Sequence, residues 1–317
     1  MRQFPIDDVV LNSSQLPKAT VSQESVTIRT RDQHLIGGTL FRRAGSSSPQ
    51  SAVVLTCGAG ISARYYRRFA EHLASEDIAT LTYDYRGIGT SRRGTLRGFH
   101  ASFEDWAEHD CTAAIDFLTD RFSVPTFGVS HSIGALVLGG ALNASKLRGM
   151  VMIAPHTGYV GDYRRTYIVP MALMWHGIMP ALTALLGYFP GRRLHLGEDI
   201  PRDVALAWAR RRNPKPDASQ GARTQALINR LTQMHAPALA VTISDDGFAT
   251  RAGAERAMAL YRGTTFAHIV ISPQQAHTER LGHWGFFRTE SLWPLVVTYL
   301  RQSVEHPNEV QEAPNAL

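Results

Sequence analysis

Apolar positions along the chain fall into two alternating patterns. Runs such as Ala52-Val53-Val54-Leu55-Thr56 and Ile78 to Tyr83 are apolar almost without interruption, which marks strands buried on both faces of a parallel sheet. Between them apolar residues recur at helical spacing: Tyr66, Phe69, Ala70 and Leu73 share one face of a segment from Ala63 to Ser75, and Glu104 to Thr119 is amphipathic in the same way. Strands at Thr126 to Val129 and Met150 to Ala154 flank a helix at Ile133 to Leu142. Further on, Ala238 to Ile243 and Ala267 to Ile271 flank a helix at Arg251 to Tyr261, and a last helix starts near Trp284 or a little later and ends near Val304. Glu24 to Thr30 and His34 to Arg42 alternate like a leading strand pair, with a bulge expected at Gly37-Gly38.

The βαβαβ order predicts an α/β fold, a doubly wound, mostly parallel sheet with helices on both faces. The order lapses over residues 158–230, which read as a helical cap insertion, apolar at first and then arginine-rich. The core domain is therefore expected at 23–157 and 231–304, with irregular termini at 1–22 and 305–317. An insertion at this point belongs over the crevice at the carboxyl ends of the strands, where doubly wound sheets bind ligands.

Composition narrows the picture. At 317 residues, 44% of them apolar and 19% charged, the chain is long enough for one large globular domain and too apolar for disorder. The net charge of +6 comes almost wholly from dispersed arginines, since only Lys18, Lys146 and Lys215 are lysines. Without a concentrated basic stripe or a reading motif, nucleic acid is not an expected partner. Two cysteines, Cys57 and Cys111, form neither a disulfide framework nor a metal motif, so neither metal nor cofactor is expected. The N-terminus carries acids and a proline where a signal peptide would be apolar, which points to a cytoplasmic protein. Ile168 to Phe189 is uncharged and long enough to span a bilayer, but Pro170, His176, Gly177, Pro180 and Gly187 predict that it breaks into short pieces. A lid of short apolar helices is the expectation there, with a homodimer surface or the cap of a membrane-surface lipase as the alternatives and membrane spanning set aside.

Four segments carry candidate chemistry. In Gly128-Val129-Ser130-His131-Ser132-Ile133-Gly134, a strand ends, a helix begins, and small residues stand two positions either side of Ser132. Such a turn exposes the serine hydroxyl and aims the first helical N–H groups at any anion formed there. Thr56-Cys57-Gly58-Ala59-Gly60 follows the first parallel strand, so the N–H of Ala59 is expected to join that of Ile133 in an oxyanion hole. Ser244-Asp245-Asp246-Gly247 follows a strand after the insertion, where an acid partner belongs, and Asp246 is preferred with Asp245 open. Gly282-His283-Trp284-Gly285 follows the last strand, which makes His283 the candidate base, with His277 as fallback. His131 is expected to point away across the turn.

With Asp84-Tyr85-Arg86-Gly87-Ile88-Gly89-Thr90-Ser91, these motifs fall in the order of the α/β-hydrolase superfamily, which the chain resembles from about Val26 to Val304. Gly187-Tyr188-Phe189-Pro190-Gly191 and Gly282-His283-Trp284-Gly285-Phe286-Phe287 look like a bacterial subgroup described only as predicted α/β-hydrolases. The resemblance implies a serine carboxylic-ester hydrolase, with Ser132 as nucleophile, His283 as base and Asp246 fixing the imidazole. A small to medium apolar ester or thioester is the expected substrate. The expected pocket is lined by Tyr167, Met171, Trp175, Met179 and Trp284, with other apolar cap residues near Leu173 and Met174. Two other readings keep the fold: an acyltransferase or acyl-CoA thioesterase with the same triad, and a non-catalytic ligand-binding protein.

Overall fold

The structure is a computed structural model that describes residues 19–210 and 221–305. Eight strands form one sheet in the order β1-β2-β4-β3-β5-β6-β9-β10. β1 (Val21–Arg29), β2 (Leu35–Arg43) and β4 (Ile78–Tyr83) pair antiparallel in turn. From β4 onward the pairs are parallel, through β3 (Ser51–Thr56), β5 (Thr126–His131), β6 (Met150–Ile153), β9 (Ala238–Ile243) and β10 (Phe266–Ile271). Every residue of β3, β4, β5, β6 and β9 is buried, as uninterrupted apolar runs require when helices cover both faces. This is the mostly parallel, doubly wound sheet of the α/β-hydrolase fold. The expected irregular segments at 1–18 and 306–317, and Arg211-Arg212, lie outside the described residues.

Three expectations need correction. Gly37 and Gly38 form no bulge, because β1 and β2 keep one continuous register through Thr27↔Gly37 and Val26↔Gly38. The glycines answer to close neighbours instead: a Cβ at Gly37 would meet Thr90 Oγ1 at 2.5 Å, and one at Gly38 the Thr82 carbonyl at 2.8 Å. The final helix starts at Trp293 rather than near Trp284, because two short 3₁₀ turns, Gly285–Arg288 and Glu290–Leu292, come first. The helix Ala222–Thr232, expected in the cap, packs on the core. Its Leu227 and Leu231 bury against Gly140 and Gly139, and Arg230 Nε donates to the Gly140 carbonyl at 2.7 Å.

The cap proper fills the connection from β6 towards β9. The helix Arg165–Leu186 runs 22 residues, with a π-helical stretch at Met174–Ile178. Pro170 and Gly177 therefore lie within it without ending it, contrary to the expected break into pieces. A two-residue strand pair, Tyr188–Phe189 with Ile200–Pro201, and the helix Arg202–Arg210 complete the cap.

Candidate active site

The candidate residues follow the carboxyl ends of four parallel strands. Ser132 comes directly after β5 with φ at +60°, the left-handed backbone of a sharp strand–turn–helix junction. Its N–H donates to the Ile153 carbonyl at 2.9 Å, which pins the turn to β6. Gly134 lets this turn approach the loop after β3: a Cβ there would meet the Cys57 carbonyl at 2.5 Å and the Thr56 carbonyl at 2.8 Å. At Gly58 a Cβ would come within 3.4 Å of Ser132 Cβ. The Ile133 and Ala59 N–H groups have no acceptor among the described residues.

Asp246, His283 and Ser132 form one hydrogen-bonded chain. His283 Nδ1 lies 2.7 Å from Asp246 Oδ2, and His283 Nε2 lies 2.9 Å from Ser132 Oγ. All three side chains are buried. Asp246 Oδ1 accepts from the Phe248 and Ala249 N–H groups at 2.7 and 3.0 Å. Burial alone would raise the Asp246 pKa, but the facing His283 charge, its hydrogen bond and those two N–H donors hold it down at about 2. Asp245, the alternative acid, instead accepts from the Leu281 and Gly282 N–H groups at 3.1 and 2.9 Å and so anchors the loop that carries His283. His277 is exposed and makes no contact with this chain of groups.

Two histidines play parts that motif order does not reveal. Gly158 N–H donates to His156 Nδ1 at 2.9 Å, so the ring hydrogen sits on Nε2, which donates to Ser132 Oγ at 2.8 Å. With one lone pair of Oγ occupied in this way, its own hydrogen is directed to His283 Nε2. His156 follows β6 in an apolar run, Ile153-Ala154-Pro155-His156, and a polar residue just past a strand's carboxyl end was the available signal.

Both ring nitrogens of His131 are engaged away from the Ser132 hydroxyl, in a second network. Gly58 N–H donates to the Tyr66 hydroxyl at 2.9 Å. That hydroxyl donates to His131 Nδ1 at 2.8 Å, and His131 Nε2 donates to the His283 carbonyl at 2.9 Å. Burial first, and the His283 charge second, hold the His131 pKa well below its usual value, so the ring is neutral and each nitrogen has one role. The relay ties the loop of Ala59, the turn of Ser132 and the loop of His283 together.

The serine opens into a cavity of about 1200 Å³. Met171, Trp175, Met179 and Trp284 line it as the sequence pattern predicts, joined by Met174, Tyr163, Trp208 and Phe248. Tyr167 does not line it. Its ring packs over Gly247 and against Phe248, beside a separate cavity of about 200 Å³. Among the described residues no group of three or more His, Cys, Asp or Glu side chains is arranged to hold a metal ion.

Comparison with known proteins agrees with this fold. No curated protein matches the chain in sequence. Among solved structures, DcsB in complex with its substrate analogue superposes with a TM-score of 0.60 at 16% identity, over 90% of this chain and 100% of that one. An esterase from Pyrococcus furiosus gives 0.58 at 15%, over 96% and 95%. Brefeldin A esterase, a bacterial homologue of human hormone-sensitive lipase, gives 0.56 at 16%, over 95% and 81%. At these identities the likeness is one of fold. Residues 47–259, well over half of the chain and including both Ser132 and Asp246, match the family described as serine aminopeptidase, S33. The chain belongs to that family, and with it to the α/β-hydrolase superfamily: it is a hydrolase.

Proposed function

We propose that this hydrolase cleaves a carboxylic ester or thioester of an apolar acyl group through an acyl-enzyme on Ser132. The observation that carries the reading is the unbroken chain from Asp246 through His283 to Ser132 Oγ, opening onto a large apolar cavity. Ser132 Oγ attacks the carbonyl carbon while its proton passes to His283 Nε2, and Asp246 stabilises the imidazolium through Nδ1–H. The Ile133 and Ala59 N–H groups hold the oxyanion, each worth about 3 kcal/mol of barrier. Collapse expels the alcohol or thiol, which takes the proton from His283. Water then attacks the acyl-enzyme with His283 again as base, releasing the acid and restoring the serine. His156 is a positioning residue that sets the hydroxyl hydrogen toward His283.

The cavity chemistry favours an ester over an amino-terminal peptide. An aminopeptidase must recognise a free α-ammonium, and the carboxylates lining this cavity are Asp84 and Glu198. Asp84 accepts from the Ala63 and Thr90 N–H groups, and Glu198 is paired with Arg192, so neither is spare for that task.

The test is fluorophosphonate labelling with intact-protein mass on the wild type and Ser132→Ala, alongside p-nitrophenyl esters of rising chain length. One adduct and ester turnover, both absent in Ser132→Ala, are expected. Turnover that rises on adding an alcohol or thiol acceptor would identify an acyltransferase. A wild type that neither labels nor turns over would overturn the reading in favour of a binding protein.

A further inference from the structure

The helix Arg165–Leu186 presents an unusual outer face. A surface helix ordinarily turns polar residues to water. Here, beyond Arg165 at its start, the exposed positions are Thr166, Val169, Pro170, Leu173, Gly177, Ile178, Ala181, Ala184 and Leu185, a single stripe without a charge. Val169, Leu173 and Leu185 are 76%, 62% and 73% exposed. The opposite face, with Met171, Met174, Trp175 and Met179, roofs the cavity above Ser132. The helix is therefore apolar all round, with one face on the cavity and the other on solvent.

Charge frames this stripe. No Asp or Glu occurs from Tyr163 to Gly197. Arg164 and Arg165 are exposed at the helix start, and just beyond its end stand Arg193 and Arg192, the latter paired with Glu198. Exposed Arg97 reaches the same end, its Nε donating to the Leu186 carbonyl at 3.3 Å. Leu194 and Leu196 add exposed apolar surface beside the second arginine pair. A second copy of this chain is a poor occupant, because pairing two such helices in either direction sets arginines against arginines. An anionic lipid surface satisfies both features: acyl chains take the apolar stripe and headgroups take the arginines at its two ends.

We propose that the outer face of helix Arg165–Leu186 docks the protein on anionic phospholipid bilayers. The helix lies in the plane of the interface and does not span it, because its inner face stays committed to the cavity. At about 33 Å long it places the roof of the cavity against the lipid. The proposal does not depend on the hydrolytic chemistry, and its test reads binding alone.

The full chain is floated with vesicles of phosphatidylcholine and with vesicles containing about 30% phosphatidylglycerol. Binding to the anionic vesicles, weakened by salt, is expected. Val169→Glu and Leu185→Glu together should reduce it by roughly a hundredfold, with thermal unfolding unchanged. Arg165→Ser with Arg193→Ser should lower binding to the anionic vesicles toward that seen with phosphatidylcholine. A wild type that floats with neither vesicle, or variants that float as well as wild type, would overturn the proposal. So would a wild-type dimer that Val169→Glu converts to monomer, which would assign the face to self-association.

Discussion

Replacing Tyr66 by phenylalanine removes one oxygen atom and tests the relay behind the candidate active site. The ring itself should stay in place, because it packs edge-on against Phe287 at 4.8 Å and is wholly buried. What disappears is the acceptor for Gly58 N–H and the donor to His131 Nδ1. Each is a buried polar group left without a partner, at about 1–3 kcal/mol apiece. The sum, about 2–4 kcal/mol allowing for some relaxation, lowers Tm by roughly 3–6 °C in a domain of this size. Activity should fall as well, since Gly58 adjoins Ala59 and His131 holds the His283 carbonyl. A displacement of about 1 Å at these loops is enough to lower kcat by roughly ten- to a hundredfold. Scanning calorimetry and steady-state kinetics on the purified variant read both effects. A Tm within about 1 °C of wild type would refute the claim that the relay carries the stated energy.

Other outcomes follow from the same geometry. Asp246→Asn keeps the acceptor for Phe248 and Ala249 but presents an amide to His283 Nδ1, so kcat should fall about ten-thousandfold in ester assays. The same variant tests linkage. The folded pKa of about 2 lies below the ordinary 3.8, so this stabilisation is full above about pH 4 and is lost as pH falls towards 2. Asp246→Asn should flatten that acid limb of a Tm–pH curve. Gly134→Ala drives a methyl group into two backbone carbonyls and should cost about 1–3 kcal/mol in chemical denaturation while lowering kcat. His156→Ala should leave fluorophosphonate labelling at Ser132 intact but slow it by about five- to tenfold, the worth of one neutral hydrogen bond. Unchanged labelling kinetics would remove His156 from its positioning role.

Strands β3, β4, β5, β6 and β9 were legible because burial on both faces leaves continuous apolar runs, and chain order then pointed to Ser132, Asp246 and His283. Local chemistry favoured Asp246 but left Asp245 open. The two are adjacent turn residues, and only the fold aims one at a histidine and the other at the N–H groups of Leu281 and Gly282. Nor could it reveal His156 or the Tyr66–His131 relay, whose partners lie up to 152 positions apart in sequence. The long cap helix was obscured by Pro170, Gly177 and Pro180, local breakers that the surrounding packing and a π-helical turn accommodate. Tyr167 was misplaced for a simpler reason, since helical spacing alone does not say which of two cavities a cap residue faces.

The left-handed backbone at Ser132 sets stability against chemistry in a single residue. A side chain in that conformation costs about 1–2 kcal/mol, which glycine would escape. Under the proposed function, a change at this position toward a more stable backbone is a change away from the nucleophile. Alanine carries the same steric burden as serine. A Ser132→Ala protein therefore keeps the native turn under the same stress and is the fair inactive reference, whereas a glycine variant would alter both the hydroxyl and the shape of the turn.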